Sequence, residues 1–194
     1  LDFETFNPAL PVYPGTRPYQ VIPFQWSLHT LESSGELLHE SFLHDGTGDP
    51  RQAFTKSLLD AIEPGGTIVV YSSYEQTILK QLAELYPNLA DQLMCLCDRL
   101  YDLLKVIRAH YYHPGFHGSF SLKAVLPVLV PGIGYDELEI QDGQLASAAF
   151  TQMIAPSTPN HEKERIRNAL LAYCQRDTEA MVGVFRELRS LSGA

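Results

Sequence analysis

Asp2 and Glu4 stand two residues apart in the short apolar run Leu1-Asp2-Phe3-Glu4-Thr5-Phe6. Residues i and i+2 of a strand face the same way, so both carboxylates project from one side of a sheet. Like charges held that close repel, and burying either one unpaired costs several kcal/mol. A divalent cation relieves both penalties, and hard oxygen donors favour magnesium or manganese. An edge strand with one solvated face is the plain alternative for an Asp-x-Glu pair taken alone. The remaining acids of the chain decide between the two.

Three later features join this pair. Tyr71-Ser72-Ser73-Tyr74-Glu75 places Glu75 in the first turn of a helix directly after a strand, where α/β sheets build their sites. Complementing the helix dipole is the ordinary task of such a residue. Tyr173 and Asp177 sit i and i+4 in Tyr173-Cys174-Gln175-Arg176-Asp177, on one helix face. A carboxylate there can hold a metal while a phenol one turn away orients or deprotonates a water; the bland reading is an exposed acid beside a core tyrosine. Asp102 is enclosed by Leu100, Tyr101, Leu103 and Leu104, so it needs a partner, a metal, or the solvent side of a simple alternation.

The elements that must position these groups read as follows. After the opening strand, Asn7 to Pro18 carries Pro8, Pro11, Pro14, Gly15 and Pro18 and is a loop. Tyr19 to Leu31 predicts a second strand, Gly35 a turn, and Glu36 to His44 a third strand antiparallel to it. Asp49-Pro50 opens an amphipathic helix that ends at Pro64-Gly65-Gly66. Thr67 to Tyr71 is a wholly apolar strand, followed by a helix through Ile78, Leu82 and Leu85. Asn88 to about Arg99 predicts a helix, Leu100 to Leu103 a short strand, Ser121 to Val130 and Gln144 to Ile154 helices, and His161 to Leu191 a long helix broken once. Strands first, then alternating elements, predict an α/β domain: a mixed β-sheet with helices packed on it.

A chain of 194 residues with 45% hydrophobic and 19% charged residues is long and apolar enough for one full core, so residues 1–194 read as a single domain. No run of about 18 apolar residues exists, and no secretory signal opens the chain, so no membrane role is expected. The start inside a strand leads to the expectation of a domain excised from a protein that continues upstream, with that upstream domain as a partner. Cys95, Cys97 and Cys174 offer neither a zinc-finger spacing nor an even count, so buried free thiols and a cytoplasmic location are expected. The net charge of −9 argues against a protein coated in phosphate contacts. Yet Arg99, Lys105, Arg108 and Lys123 form a local basic stripe, interleaved with His110, His113 and His117. Positive charge where phosphates run and negative charge where metals sit suits a nuclease; ordinary helix-surface charges are the alternative. The three histidines lie in a Pro-Gly loop without carboxylate support and make a poor zinc site.

Asp-x-Glu on a first strand, an acid after a later strand, and Tyr-x-x-x-Asp on the last helix together resemble the ribonuclease-H-like four-acid 3′–5′ exonucleases, in their tyrosine variant. That superfamily contains the proofreading domains of DNA polymerases. The opening, followed by Arg17-Pro18-Tyr19-Gln20, is also similar to that of the bacterial exonuclease I group. More narrowly, Pro23-Phe24-Gln25-Trp26-Ser27, the run from Gly118 to Pro127 and Tyr173-Cys174-Gln175-Arg176-Asp177-Thr178 resemble a bacterial family of uncharacterised domains assigned to this group. The resemblance covers almost the whole chain. It implies a ribonuclease-H-like fold and a 3′–5′ exonuclease acting on single-stranded ends, with DNA ahead of RNA. It further implies two divalent cations, Mg or Mn, held by Asp2, Glu4, Glu75 and Asp177, with Asp2 bridging and Tyr173 orienting or deprotonating the attacking water. Glu75 departs from the pattern, since the superfamily places an aspartate there, and Asp102 is the substitute ligand to weigh against it. Lys123 and Arg108 are expected to contact substrate phosphates, and Phe6, with Tyr13 and Tyr19, offers stacking on a terminal base, with packing in the core as the ordinary task of most aromatics. A catalytically inactive nucleic-acid-binding or assembly module is the alternative.

Overall fold

Strand β1 (Asp2–Phe6) pairs antiparallel with β2 (Ile22–Leu31), which pairs antiparallel with β3 (Leu37–Leu43). These elements are taken from a computed structural model that describes residues 1–193. The β2–β3 hairpin closes at Gly35, whose φ of +89° is one an L side chain resists. Glu4 pairs with Gln25 but Thr5 pairs with Pro23, so Phe24 is an extra residue in a bulge. Proline has no N–H for the ladder, and the bulge accommodates it. The bulge also swings Phe24 onto the same side as Phe6, where it stacks on Phe150 with ring centroids 3.9 Å apart.

A second, parallel pair follows from β4 (Ile68–Val70) and β5 (Leu100–Asp102). The backbone nitrogen of Leu1 donates to the Val69 carbonyl at 2.9 Å, so the line of β1 runs alongside β4 and links the two sheets. In place of the expected single mixed sheet there are two sheets, a three-stranded antiparallel one and a two-stranded parallel one, bridged by this one hydrogen bond.

Helices cover both faces. Phe3 and Trp26 point into one core with Phe54 and Leu58 of α1 (Pro50–Ala61), Ile78 and Leu79 of α2 (Tyr74–Leu85), and Leu93 of α3 (Ala90–Asp98). Phe6, Ile22 and Phe24 point into the other. There they meet Leu126 of α5 (Leu122–Leu129), Phe150 of α6 (Gly143–Ile154) and Leu170 of α7 (Asn160–Ser192). Alternation along β1 thus turns Phe3 one way and Asp2, Glu4 and Phe6 the other, toward α6 and α7. The architecture is mixed α/β, and no described helix is long and apolar enough to cross a membrane.

Several expectations are corrected. β2 begins at Ile22, because Arg17 to Gln20 form a turn with Tyr19 at φ +59° and its N–H bonded to Pro8. The helix expected from Asn88 begins at Ala90, after a single 3₁₀ turn over Pro87–Leu89. The stretch after β5, read only as a basic stripe, is helix α4 (Leu103–His110). Helix α7 runs 33 residues without a break.

Candidate functional site

A cleft of about 590 Å³ opens where the β1 edge meets α6 and α7, lined among others by Asp2, Glu4, Tyr74, Gly143, Tyr173 and Asp177. The acids arrive by three routes. Asp2 and Glu4 come from the alternation of β1. Glu75 stands in the first turn of α2, delivered by the short β4–α2 connection. In that connection Ser72 adopts φ +151° and its hydroxyl accepts from the Tyr74 N–H at 3.1 Å. Tyr173, Cys174 and Asp177 come from one face of the middle of α7. The Cys174 thiol donates to Asp2 Oδ2 at 3.6 Å, and one donor atom each from Asp2, Glu4 and Cys174 lie within 4.8 Å of one another.

These acids are buried: Glu4, Glu75 and Asp177 are 6%, 3% and 8% exposed. Burial, then the neighbouring charge of Asp177, pushes the carboxyls of Asp2 and Glu4 well above the usual carboxylate range; Lys123 opposes this at Glu4. Burial raises Glu75 to about 7. Burial raises Asp177 too, but the Tyr135 hydroxyl, donating to its Oδ1 at 2.5 Å, opposes the rise. The phenols of Tyr173 and Tyr135 are pushed far up, by burial first and the Asp177 carboxylate second, so both keep their protons at neutral pH. The Cys174 thiol is raised by burial and then by Asp2.

The donor set fits a hard divalent cation. Glu75 Oε2 is buried with no hydrogen-bond partner, and its charge acts on both Asp2 and Glu4. Four carboxylates with an orphaned oxygen need positive charge more than they need one another.

Lys123 stands in this site. Its ammonium lies 5.0 and 5.3 Å from the ring centroids of Tyr135 and Tyr173 and donates to the Gln141 carbonyl. Other expected members lie elsewhere. Phe6 is 2% exposed and packs on Phe24 and Phe150, so it belongs to the core rather than to a stacking surface. Arg108 lines a separate hollow with Tyr71, Ser119 and Phe120. Asp102 caps α4, its Oδ1 accepting from the Lys105 N–H at 3.3 Å, so its carboxylate already has the partner its apolar setting demanded. Of the remaining stripe, Arg99 binds the Gly65 and Gly66 carbonyls and the His113 ring accepts from the Gly115 N–H. Among the described residues the three histidines form no ligand cluster.

Tyr135 and the Cys174–Asp2 contact were not foreseen. Tyr135 follows Gly132-Ile133-Gly134 in an irregular segment, and only its aromatic type next to a turn marked it.

A family model described as a domain of unknown function, DUF2779, matches residues 1–121, which carry Asp2, Glu4 and Glu75. "Uncharacterized protein MG366" of Mycoplasma genitalium is 22% identical over 98% of this chain, and the chain spans about a third (32%) of that curated relative's length. No solved structure matches the chain. Because the family model covers more than half of these 194 residues, the chain belongs to the DUF2779 family of domains of unknown function.

Proposed function

We propose that this domain is a 3′–5′ exonuclease that hydrolyses phosphodiester bonds at single-stranded nucleic-acid ends with two divalent cations, Mg or Mn. The observation that carries the reading is the meeting of Asp2, Glu4 and Asp177 in one cleft with Tyr173, with Glu75 electrostatically joined to them. Residues drawn from a first strand, a helix start and a last helix have no packing reason to bring four acids together. The ribonuclease-H-like reading of the fold is supported by the mixed strand directions, the Leu1–Val69 link and the helices on both faces.

When bound, such cations lower the pKa of a water and stabilise the leaving 3′ oxygen. The protein's part follows from its own groups. Asp2, Glu4, Glu75 and Asp177 supply the anionic donors. Tyr135 fixes one Asp177 oxygen, and Tyr173 also bears on that carboxylate. Tyr173, protonated at neutral pH, orients a water or phosphate oxygen as a donor rather than removing a proton. Lys123 offers the cleft a positive charge for a phosphate.

The test is single-stranded DNA labelled at the 5′ end, incubated in magnesium or manganese. Stepwise shortening from the 3′ end is expected, with a 3′-blocked strand resistant and Asp2→Ala reduced to background while its near-ultraviolet circular dichroism is retained. Cleavage by Asp2→Ala under manganese would place the metal site elsewhere. The glutamate at position 75 favours a second reading, an inactive nucleic-acid-binding or assembly module; calorimetry separates the two, with two cations bound in one case and none or one in the other.

A further inference from the structure

We infer that Cys174 makes this cluster a site for thiophilic cations, zinc foremost, bound through the Cys174 thiolate together with Asp2 and Glu4. The inference rests on reading the cleft as a cation site and adds a selectivity that four carboxylates alone would lack. Carboxylates and water suit magnesium and manganese, whereas thiolate selects zinc and other soft or borderline ions. Zinc binds sulfur at about 2.3 Å and carboxylate oxygen at about 2.0 Å in a tetrahedron, which sets those two donors about 3.5 Å apart. Cys174 Sγ and Asp2 Oδ2 already stand 3.6 Å apart. Glu4 completes a triad within 4.8 Å, and its longer side chain supplies the closing movement.

The placement of the thiol is not that of an incidental core cysteine. Cys174 is fully buried on α7 between Tyr173 and Asp177, and its sulfur points at a carboxylate rather than into the apolar core. The independent sign of a missing ligand is Glu75 Oε2, an unpartnered oxygen on a side chain 3% exposed whose charge acts on Asp2 and Glu4. On binding, the thiol proton leaves to solvent and the sulfur–metal bond forms, with no redox change. Zinc and the hard cations then compete for Asp2 and Glu4, so zinc displaces manganese.

Cobalt(II) is the probe, because it follows zinc in geometry and reports a thiolate ligand by a near-ultraviolet charge-transfer band. The host is the whole chain with Cys95→Ser, which removes the exposed thiol. A charge-transfer band that zinc abolishes is expected, and so is sulfur at about 2.3 Å in the X-ray absorption spectrum of the zinc form. Cys174→Ser and Cys174→Ala should each lose the band and bind zinc at least 10–100-fold more weakly, the range seen when a metal site loses a supporting group. The parent spectrum stands without any variant, so a variant that misfolds does not rescue the idea. Oxygen and nitrogen scattering alone, or a band that survives both substitutions, overturns it. Manganese-dependent cleavage without any thiolate band sinks this inference and leaves the exonuclease reading standing; no cation bound and no cleavage sinks both.

Discussion

At the scale of single residues, Glu75 is where the site departs most from an ordinary carboxylate cage. Its side chain is one methylene longer than an aspartate's, and one of its oxygens has no partner. Magnesium demands near-ideal octahedral geometry, whereas manganese is more forgiving. Weak activity in magnesium and a gain in manganese are therefore expected, with Glu75→Asp narrowing the gap and Glu75→Gln inactive in both metals, read as initial rates of strand shortening. Asp102 provides the control. Asparagine caps a helix as well as aspartate does, so Asp102→Asn should retain stability and activity. A dead Asp102→Asn beside a parent-like Glu75→Gln would transfer the ligand role to Asp102. The acids themselves were legible in the sequence because spacing on a strand or helix fixes which face a side chain takes. Tyr135 was not, because an irregular segment has no period, and its bond to Asp177 spans 42 residues.

Among the elements, long or strongly patterned ones read well and short ones poorly. Helix α7 was legible from its apolar repeat, and β1 to β3 from β-branched and aromatic runs closed by a glycine turn. Helix α4 was hidden because β5 contributes only three residues and passes straight into it, with Asp102 serving as strand end and cap together. The two-sheet arrangement was hidden for a related reason: one bond, from Leu1 to Val69, carries the connection. Tertiary contacts also pin loops that sequence marks only as turns. Gly46 has φ +92°, and a Cβ there would stand 2.7 Å from Ile154 Cγ2 at the end of α6. Gly46→Ala should lower stability by about 1–3 kcal/mol, from backbone strain and overpacking together, seen as a lower melting temperature. An unchanged melt would mean that the end of α6 yields freely.

For the whole molecule, the buried acids set how stability depends on pH. Glu75 titrates near 4.5 when unfolded and at about 7 when folded, so its penalty is absent below pH 4.5 and complete above about 7. Asp2 and Glu4 shift the same way. His29, lowered to about 4 by burial and then by His39, acts in the opposite sense: its neutral folded form favours the native state as pH rises toward 6.5. Metal-free protein should thus lose stability as pH rises from about 4.5 through about 7, the window of Glu75, with His29 offsetting only part of the loss below 6.5. Manganese should abolish that loss by compensating the charge, as melting curves with and without chelator would show. A metal-free stability that keeps rising through pH 8 would mean that the acids are not buried together.

The turn ahead of Glu75 sets stability against activity. Ser72 holds φ +151°, a conformation that only glycine adopts freely, and non-glycine residues there carry about 1–3 kcal/mol of strain. Ser72→Gly should release that strain and raise the melting temperature, while the loss of the hydroxyl that receives the Tyr74 N–H loosens the start of α2. The same substitution should then lower the cleavage rate, since Glu75 is aimed by that turn. On the exonuclease reading, a protein made hardier at this position would be a slower enzyme, so the strained serine is the form that selection for catalysis, rather than for endurance, would keep.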